Sequence, residues 1–130
     1  MKFMLSTYGG NDQDYGIVGW SNEEITAMVG FMQKINEELA ESGELVDAQG
    51  LTDASHAKVV QIQNGVPVTT DGPYAETKEV LAGYWVVDCE SNDRALAIAA
   101  QIATVPVPSH VPPVRIEVRP IGEEPPSAEG

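Results

Sequence analysis

The run Val80-Leu81-Ala82-Gly83-Tyr84-Trp85-Val86-Val87 has the composition of a strand at the centre of a β-sheet. Its last four residues are β-branched or aromatic and include no charged side chain to place on a solvated face. Because successive side chains of a strand point to opposite faces, Tyr84 and Trp85 are expected on opposite sides of the sheet. We therefore predict a strand over Val80–Asp88 that is buried on both faces.

A hairpin signal precedes this strand. Asn64-Gly65 separates two short strand-like runs, Lys58–Gln63 and Val66–Thr70, and suits the positive φ angles of a type I′ turn. Since Pro67 has no N–H to donate, the second arm is expected to be an edge strand or to end early. The sequence therefore predicts a β-hairpin immediately before the central strand.

Two amphipathic helices are predicted, one on each side of the hairpin. Ser21-Asn22-Glu23-Glu24 forms a capping box, and Gly43 suits the left-handed stop of a helix over Asn22–Ser42. Ser91 can cap a second helix over Asn92–Ile102. The apolar stripe of the first helix consists of Ile25, Met28, Val29, Met32, Ile35 and Leu39. That of the second consists of Ala95, Leu96, Ile98, Ala99 and Ile102.

Three further strands complete the predicted architecture, over Lys2–Tyr8, Glu44–Leu51 and Val114–Pro120. The order β-α-β, hairpin, β-α-β is that of an α+β, ferredoxin-like split β-α-β plait with an inserted β-hairpin. Both helices would cover one face of the sheet. Because the chain has no spare element for the other face, we expect homodimerisation through that open face, which encloses a cavity.

Length and charge narrow the classes of function. The 130 residues predict a single domain over residues 1–121, followed by an acidic, proline-rich tail over 122–130 that we expect to be disordered. The net charge of −13 disfavours nucleic acid and membrane surfaces as partners. No apolar run approaches the roughly 20 residues that span a bilayer, and the first residues lack a signal-peptide core. We expect a cytoplasmic protein.

Metal and cofactor signals are missing from the sequence. Cys89 is the one cysteine, and its neighbour Glu90 disfavours a reactive thiolate. His56 and His110 are the only histidines and are not spaced as metal ligands. The sequence contains no Gly-rich phosphate loop, nucleophile elbow or dinucleotide fingerprint. We therefore predict neither a metal site nor a cofactor.

The segment before the central strand carries a family resemblance. Asp71-Gly72-Pro73-Tyr74-Ala75-Glu76-Thr77-Lys78-Glu79, with the strand that follows it, resembles the signature of the YCII-related family in its DGPF-motif branch. Tyr74 stands where that branch more often has phenylalanine. The resemblance covers residues 1–121 and implies a ferredoxin-like fold of the dimeric α/β-barrel type. Some enzymatic relatives use a His–Asp pair whose histidine lies in the first helix; Asn22–Ser42 contains no histidine, so that pair is not carried over.

Asp71 is the first candidate for chemistry in this segment. Its carboxylate can serve as a general base or ligand anchor, or it can accept local amides in an Asx-turn. If the hairpin folds back, His56 can meet Asp71 in a minimal catalytic pair; otherwise it is a plain loop histidine. The predicted ligand-binding residues of the same cavity are Gln49, Tyr74, Glu76, Thr77 and Lys78. The alternative for the last three is a solvated loop with a surface ion pair.

Two functions therefore remain open. The first is a small-molecule-binding protein, with or without catalytic activity, whose site is a cavity lined by Asp71-Gly72-Pro73-Tyr74. The second is a non-catalytic homodimeric partner or regulator. The family resemblance links this second function to sigma-factor-dependent transcription, because some relatives occur as partners of such factors. The first function predicts that Asp71 points into a pocket, and the second predicts that local amides satisfy it.

Overall fold

The computed structural model describes residues 1–10, 19–72 and 79–123. The α-helices are α1 (Asn22–Glu41) and α2 (Asn92–Ile102). The strands are β1 (Lys2–Gly10), β2 (Leu45–Gly50), β3 (Lys58–Gln63), β4 (Val66–Asp71), β5 (Glu79–Asp88) and β6 (Ile116–Pro120). A short 3-10 helix that the sequence analysis did not predict covers Ala54–His56, before β3.

Four strands form one antiparallel sheet in the spatial order β2-β5-β1-β6. Each helix therefore connects two strands that have one other strand between them, which is the split β-α-β arrangement. This mixed α+β topology is consistent with the predicted ferredoxin-like fold. Strands β3 and β4 form a separate two-stranded antiparallel sheet. Asn64 and Gly65, at φ of 52° and 78°, connect them.

The core lies between the two helices and one face of the four-stranded sheet. Phe3 pairs with Val87 and Leu5 with Trp85 across β1 and β5, and all four side chains are buried. The buried indole N–H of Trp85 donates to Oδ1 of Asn36 in α1 at 2.8 Å, which satisfies its one polar atom. The helices contribute Ile35, Leu39, Ala95, Ile98, Ala99 and Ile102 to the core.

Three apolar parts of the predicted elements are not fully buried in the single chain. Val29 and Leu96 are 42% and 49% exposed, so neither belongs to the part of its apolar stripe that packs in the core. Each lies about 100° around its helix from the centre of the buried stripe, which is outside the face that meets the sheet. On β5, the face opposite the helices holds Tyr84 and Val86, which are only half-buried in the single chain. Burial of β5 on both faces therefore depends on what covers this second face, and it stays a prediction.

Two local features set the position of β2 beside β5. A β-carbon on Gly83 would lie 2.9 Å from the carbonyl oxygen of Gln49, so only glycine allows this close approach of the strands. The register of β2 also shifts between Leu45 and Asp47, which leaves Val46 as an extra residue. As a result, Leu45 packs against the core and Asp47 lies on the opposite face.

A bidentate ion pair joins α2 to Glu44, the residue that directly precedes β2. Arg94 donates from Nε to Oε2 of Glu44 at 2.8 Å and from Nη2 to Oε1 at 2.7 Å. Ser42 donates from Oγ to Oε1 of Glu44 at 2.7 Å. The hydrogen bonds from Arg94 are the main reason that the pKa of Glu44 falls from 4.5 to about 2. This contact fixes the second helix against the strand that follows the first.

Candidate pocket between the start of β5 and the β3–β4 sheet

A pocket of about 510 Å³ is formed by residues of the segment 51–59 and by the start of β5. Its volume lies within the range of small-molecule sites, about 300–1,000 Å³. Its apolar side chains are Leu51, Ala54, Ala57, Val59, Val80 and Leu81. Its polar side chains are Thr52, Asp53, His56 and Glu79. A mainly apolar wall with a few polar groups is the usual composition of a ligand site.

The short 3-10 helix positions His56 at this pocket. Asp53 caps the helix, because its Oδ1 accepts the backbone N–H of Ser55 at 2.9 Å. The backbone N–H of His56 donates to the carbonyl oxygen of Asp53 at 2.9 Å. The hydrogen bond from Ser55, helped by the nearby imidazole of His56, holds the pKa of Asp53 below its usual value. An ionised carboxylate and an imidazole therefore lie one helical turn apart in the pocket wall.

Glu79 supplies the second carboxylate of the pocket from the first residue of β5. Its Oε1 accepts Nη1 of Arg115 at 2.8 Å, so its charge is compensated from outside the pocket wall. Asp53 takes part in none of the ion pairs among residues 1–10, 19–72 and 79–123. The negative charge of Asp53 is therefore available to a ligand.

Asp71, the first predicted catalytic residue, ends β4 and is not part of the pocket wall. Its carboxylate pairs with Nζ of Lys58, which lies directly opposite it in the β3–β4 register. Asp71 thus pairs with Lys58 rather than with His56 or a local amide. The side chain of Asp71 is 86% exposed. The catalytic roles of Asp71 and His56 stay predictions.

The residue after Asp71 does contact the pocket wall. The N–H of Gly72 donates to the carbonyl oxygen of Ala57 at 2.9 Å. A β-carbon on Gly72 would lie 2.8 Å from Cγ2 of Val59, so glycine is needed for this approach. The chain therefore leaves β4 next to one pocket residue and enters β5 at another, Glu79.

The other predicted ligand-binding residues are separated from this pocket or fall outside the described residues. Gln49 lies on β2, where its Nε2 donates to Oδ1 of Asp47 at 3.0 Å. The predicted roles of Tyr74, Glu76, Thr77 and Lys78 concern residues outside the described ranges.

A polar cluster lies on the sheet face opposite the helices. Tyr84 donates from Oη to Oδ2 of Asp47 at 3.2 Å. Oδ1 of Asp47 accepts the backbone N–H of Ala48 at 2.9 Å, beside its bond from Gln49. Burial, together with the hydrogen bond to Asp47, raises the pKa of Tyr84. Tyr84 is therefore held as a hydrogen-bond donor on this face.

Comparison with known proteins gives a match over most of the chain. Residues 1–110 match the YCII-related domain. The chain belongs to the YCII-related domain family. One protein with a similar sequence is an uncharacterized protein of Rhizobium meliloti (strain 1021). It is 32% identical over 84 residues, which cover 65% of this chain and 68% of the relative.

The structure of this YCII-related domain adds two findings on membranes and metals. None of the helices that the structure describes is long and apolar enough to cross a membrane. Within the described part of the chain, no group of three His, Cys, Asp or Glu side chains could hold a metal ion. Cys89 is buried, and its Sγ donates to the carbonyl oxygen of Ser91 at 3.4 Å.

Sequence reasoning missed most residues of the pocket in this YCII-related domain. The role of Asp53 could have been predicted from the sequence Asp53-Ala54-Ser55-His56. Aspartate is a common N-cap residue, and here its carboxylate can accept the backbone N–H of Ser55, two positions later. The ion-pair partner of Asp71 could also have been predicted. Lys58 and Asp71 are equally far from the Asn64-Gly65 turn, and residues at equal distances from a hairpin turn lie opposite each other.

Proposed function

We propose that this YCII-related protein binds a small organic molecule in the pocket beside His56. The observation that carries the proposal is the mainly apolar wall, interrupted by Asp53 and His56 from one short helix and by Glu79 from β5. The carboxylate of Asp53, which takes part in none of the ion pairs among the described residues, disfavours an anionic ligand, so the expected ligand has an apolar body and a neutral or cationic polar group. Asp53 and His56 would receive that group.

We retain the proposal that the DGPF-like segment borders this site. Its support is that Gly72 contacts Ala57 and that Glu79 belongs to the pocket wall. Assignment to the DGPF-motif branch rests on the sequence of residues 71–79. The cytoplasmic location and the regulatory alternative stay predictions.

Fragment screening by ligand-observed NMR tests the binding proposal. The probes are neutral and amine-bearing aromatic fragments, screened against the unmodified chain and against Ala57→Phe, which places a large side chain in the pocket. Ala100→Phe is the matched control, because Ala100 is exposed on α2 and does not line the pocket. We expect fragments that bind the parent and the control and lose at least about tenfold in affinity for Ala57→Phe. Equal binding to both variants, or no binding to the parent, would refute the proposal.

We further propose that two copies associate through the sheet face opposite the helices. The supporting observation is that Met4, Tyr84 and Val86 on that face are only half-buried in the single chain. An antiparallel sheet with helices on one side and apolar groups on the other gains by covering the second side. Sedimentation of the purified chain at micromolar concentration tests this, and a monomer throughout would exclude it.

A further inference from the structure

The register of the four-stranded sheet aligns two rows of side chains on the face opposite the helices. In the order β2, β5, β1, β6, the first row consists of Asp47, Val86, Met4 and Arg119. The second row consists of Gln49, Tyr84, Ser6 and Glu117. The first row thus has opposite charges at its two ends and apolar side chains between them.

The two charged ends of the first row have no ion-pair partner within the described residues. Neither Asp47 nor Arg119 takes part in the ion pairs found there. Asp47 is half-buried and accepts three hydrogen bonds, from Tyr84, Gln49 and Ala48. Because a carboxylate has about four acceptor positions, it retains room for one more donor. An arginine from another molecule could donate to this remaining acceptor position of Asp47 and neutralise its charge.

We propose that a second copy docks on this face about a two-fold axis parallel to the strands, so that Asp47 of each copy pairs with the partner's Arg119. This inference rests on the proposed homodimer and adds its register and its specific contacts. Rotation about that axis places β2 of one copy over β6 of the other. Each row then faces the same row of the partner, in the reverse order of strands. Sheets that pack face to face keep their strands within about 30° of each other, which this arrangement satisfies.

The same rotation matches the sizes of the central side chains. Tyr84, a large residue, faces the partner's Ser6, whose side chain is small. In the first row, Val86 faces the partner's Met4, which gives an apolar centre between the two symmetric ion pairs. Interfaces with an apolar centre and paired charges at the edge are those expected of stable association.

A two-fold axis perpendicular to the strands explains the face less well. It would place Asp47 against the partner's Gln49 and would pair Arg119 with the partner's Glu117. Asp47 is half-buried, whereas Glu117 is exposed, so Asp47 has the greater need of a cation when the face is covered. This axis would also bring Tyr84 against the partner's Val86, which leaves less room for the tyrosine ring than Ser6 does.

The experiment uses two charge-reversed chains, Asp47→Arg and Arg119→Asp, followed by sedimentation velocity alone and after mixing. Each variant alone places like charges at both contacts of a homodimer, so the dissociation constant is expected to rise by about tenfold or more. In the mixed heterodimer both contacts again join Arg to Asp, so mixing is expected to restore dimers. Circular dichroism confirms that each variant is folded. Asp93→Arg, on the exposed surface of α2, is the matched control and should leave dimerisation unchanged.

The possible outcomes distinguish the proposed axis from the more general proposal that the chain forms a homodimer. A parent chain that stays monomeric overturns both. A dimeric parent that tolerates Asp47→Arg, or variants that do not recover on mixing, overturns the axis and leaves the homodimer standing. Rescue of Arg119→Glu by Glu117→Arg in the same chain would support the perpendicular axis instead. Recovery on mixing the first two variants supports the axis proposed here.

Discussion

The ion pair between Glu44 and Arg94 should make the stability of this domain depend on pH. The pKa of Glu44 is about 2 in the folded chain, against an ordinary value of 4.5. A difference of this size corresponds to about 3 kcal/mol of linkage. Because Arg94 is 38% exposed and solvent screens the pair, we expect about 1–2 kcal/mol.

The sign of the effect follows from the direction of the pKa change. The folded state binds the proton of Glu44 less readily than the unfolded state does. The stabilisation is therefore fully present above about pH 4.5, the ordinary pKa, and is lost as the pH falls towards 2. Glu44→Gln should lower the free energy of unfolding by about 1–2 kcal/mol at neutral pH and by much less near pH 2.

Urea unfolding of the parent and of Glu44→Gln at several pH values measures this difference. Glu37→Gln is the matched control, since Glu37 is exposed on α1 and takes part in none of the ion pairs among the described residues. The control should change stability by less than about 0.5 kcal/mol at every pH. A loss for Glu44→Gln that is the same at pH 7 and near pH 2 would refute the reasoning, because the charge of Glu44 would then contribute nothing.

Three further predictions concern the sheet and its neighbours. Gly83→Ala should cost about 1–3 kcal/mol in thermal unfolding, because its β-carbon would meet the backbone of β2, whereas Gly30→Ala has open space and should stabilise by up to about 1 kcal/mol; equal effects would exclude the steric explanation. Trp85→Phe leaves Oδ1 of Asn36 without its donor and should cost about 1–3 kcal/mol in urea unfolding. The double variant Trp85→Phe with Asn36→Leu should cost less than the sum of the two single variants, and a cost equal to that sum would contradict the coupling. Absorbance titration should show a tyrosine that ionises above pH 10, and Tyr84→Phe should remove it; a titration curve that keeps this component would contradict the assignment.

Local signals were enough to predict most of the fold. The capping box at Ser21 and Glu24 forms both of its hydrogen bonds, and α1 begins at Asn22, as predicted. The strand order follows because a chain of two β-α-β units has few ways to pack both helices on one face. What the sequence could not give was the degree of burial on the second sheet face, since that depends on whether another molecule covers it.

The candidate site was harder to predict because its residues are brought together by tertiary structure. Asp53 and Glu79 lie far apart in the sequence, and only the path of β3 and β4 between them returns the chain to the same pocket. The motif at residues 71–79 drew attention to Asp71 and the residues after it. The described part of the pocket instead centres on the turn that precedes β3, where Asp53 caps a helix too short to produce a periodic pattern.

The extra residue at Val46 also bears on how this chain can change in evolution. Because strand side chains alternate, deleting Val46 would make Leu45 and Asp47 consecutive residues opposite Val87 and Val86, and each would keep its present face. A homologue that lacks this position therefore needs no exchange of polar and apolar residues at the neighbouring sites. A gap placed at Ala48 instead would carry Gln49 to the side of the helices, so it would indicate a misplaced gap in the alignment.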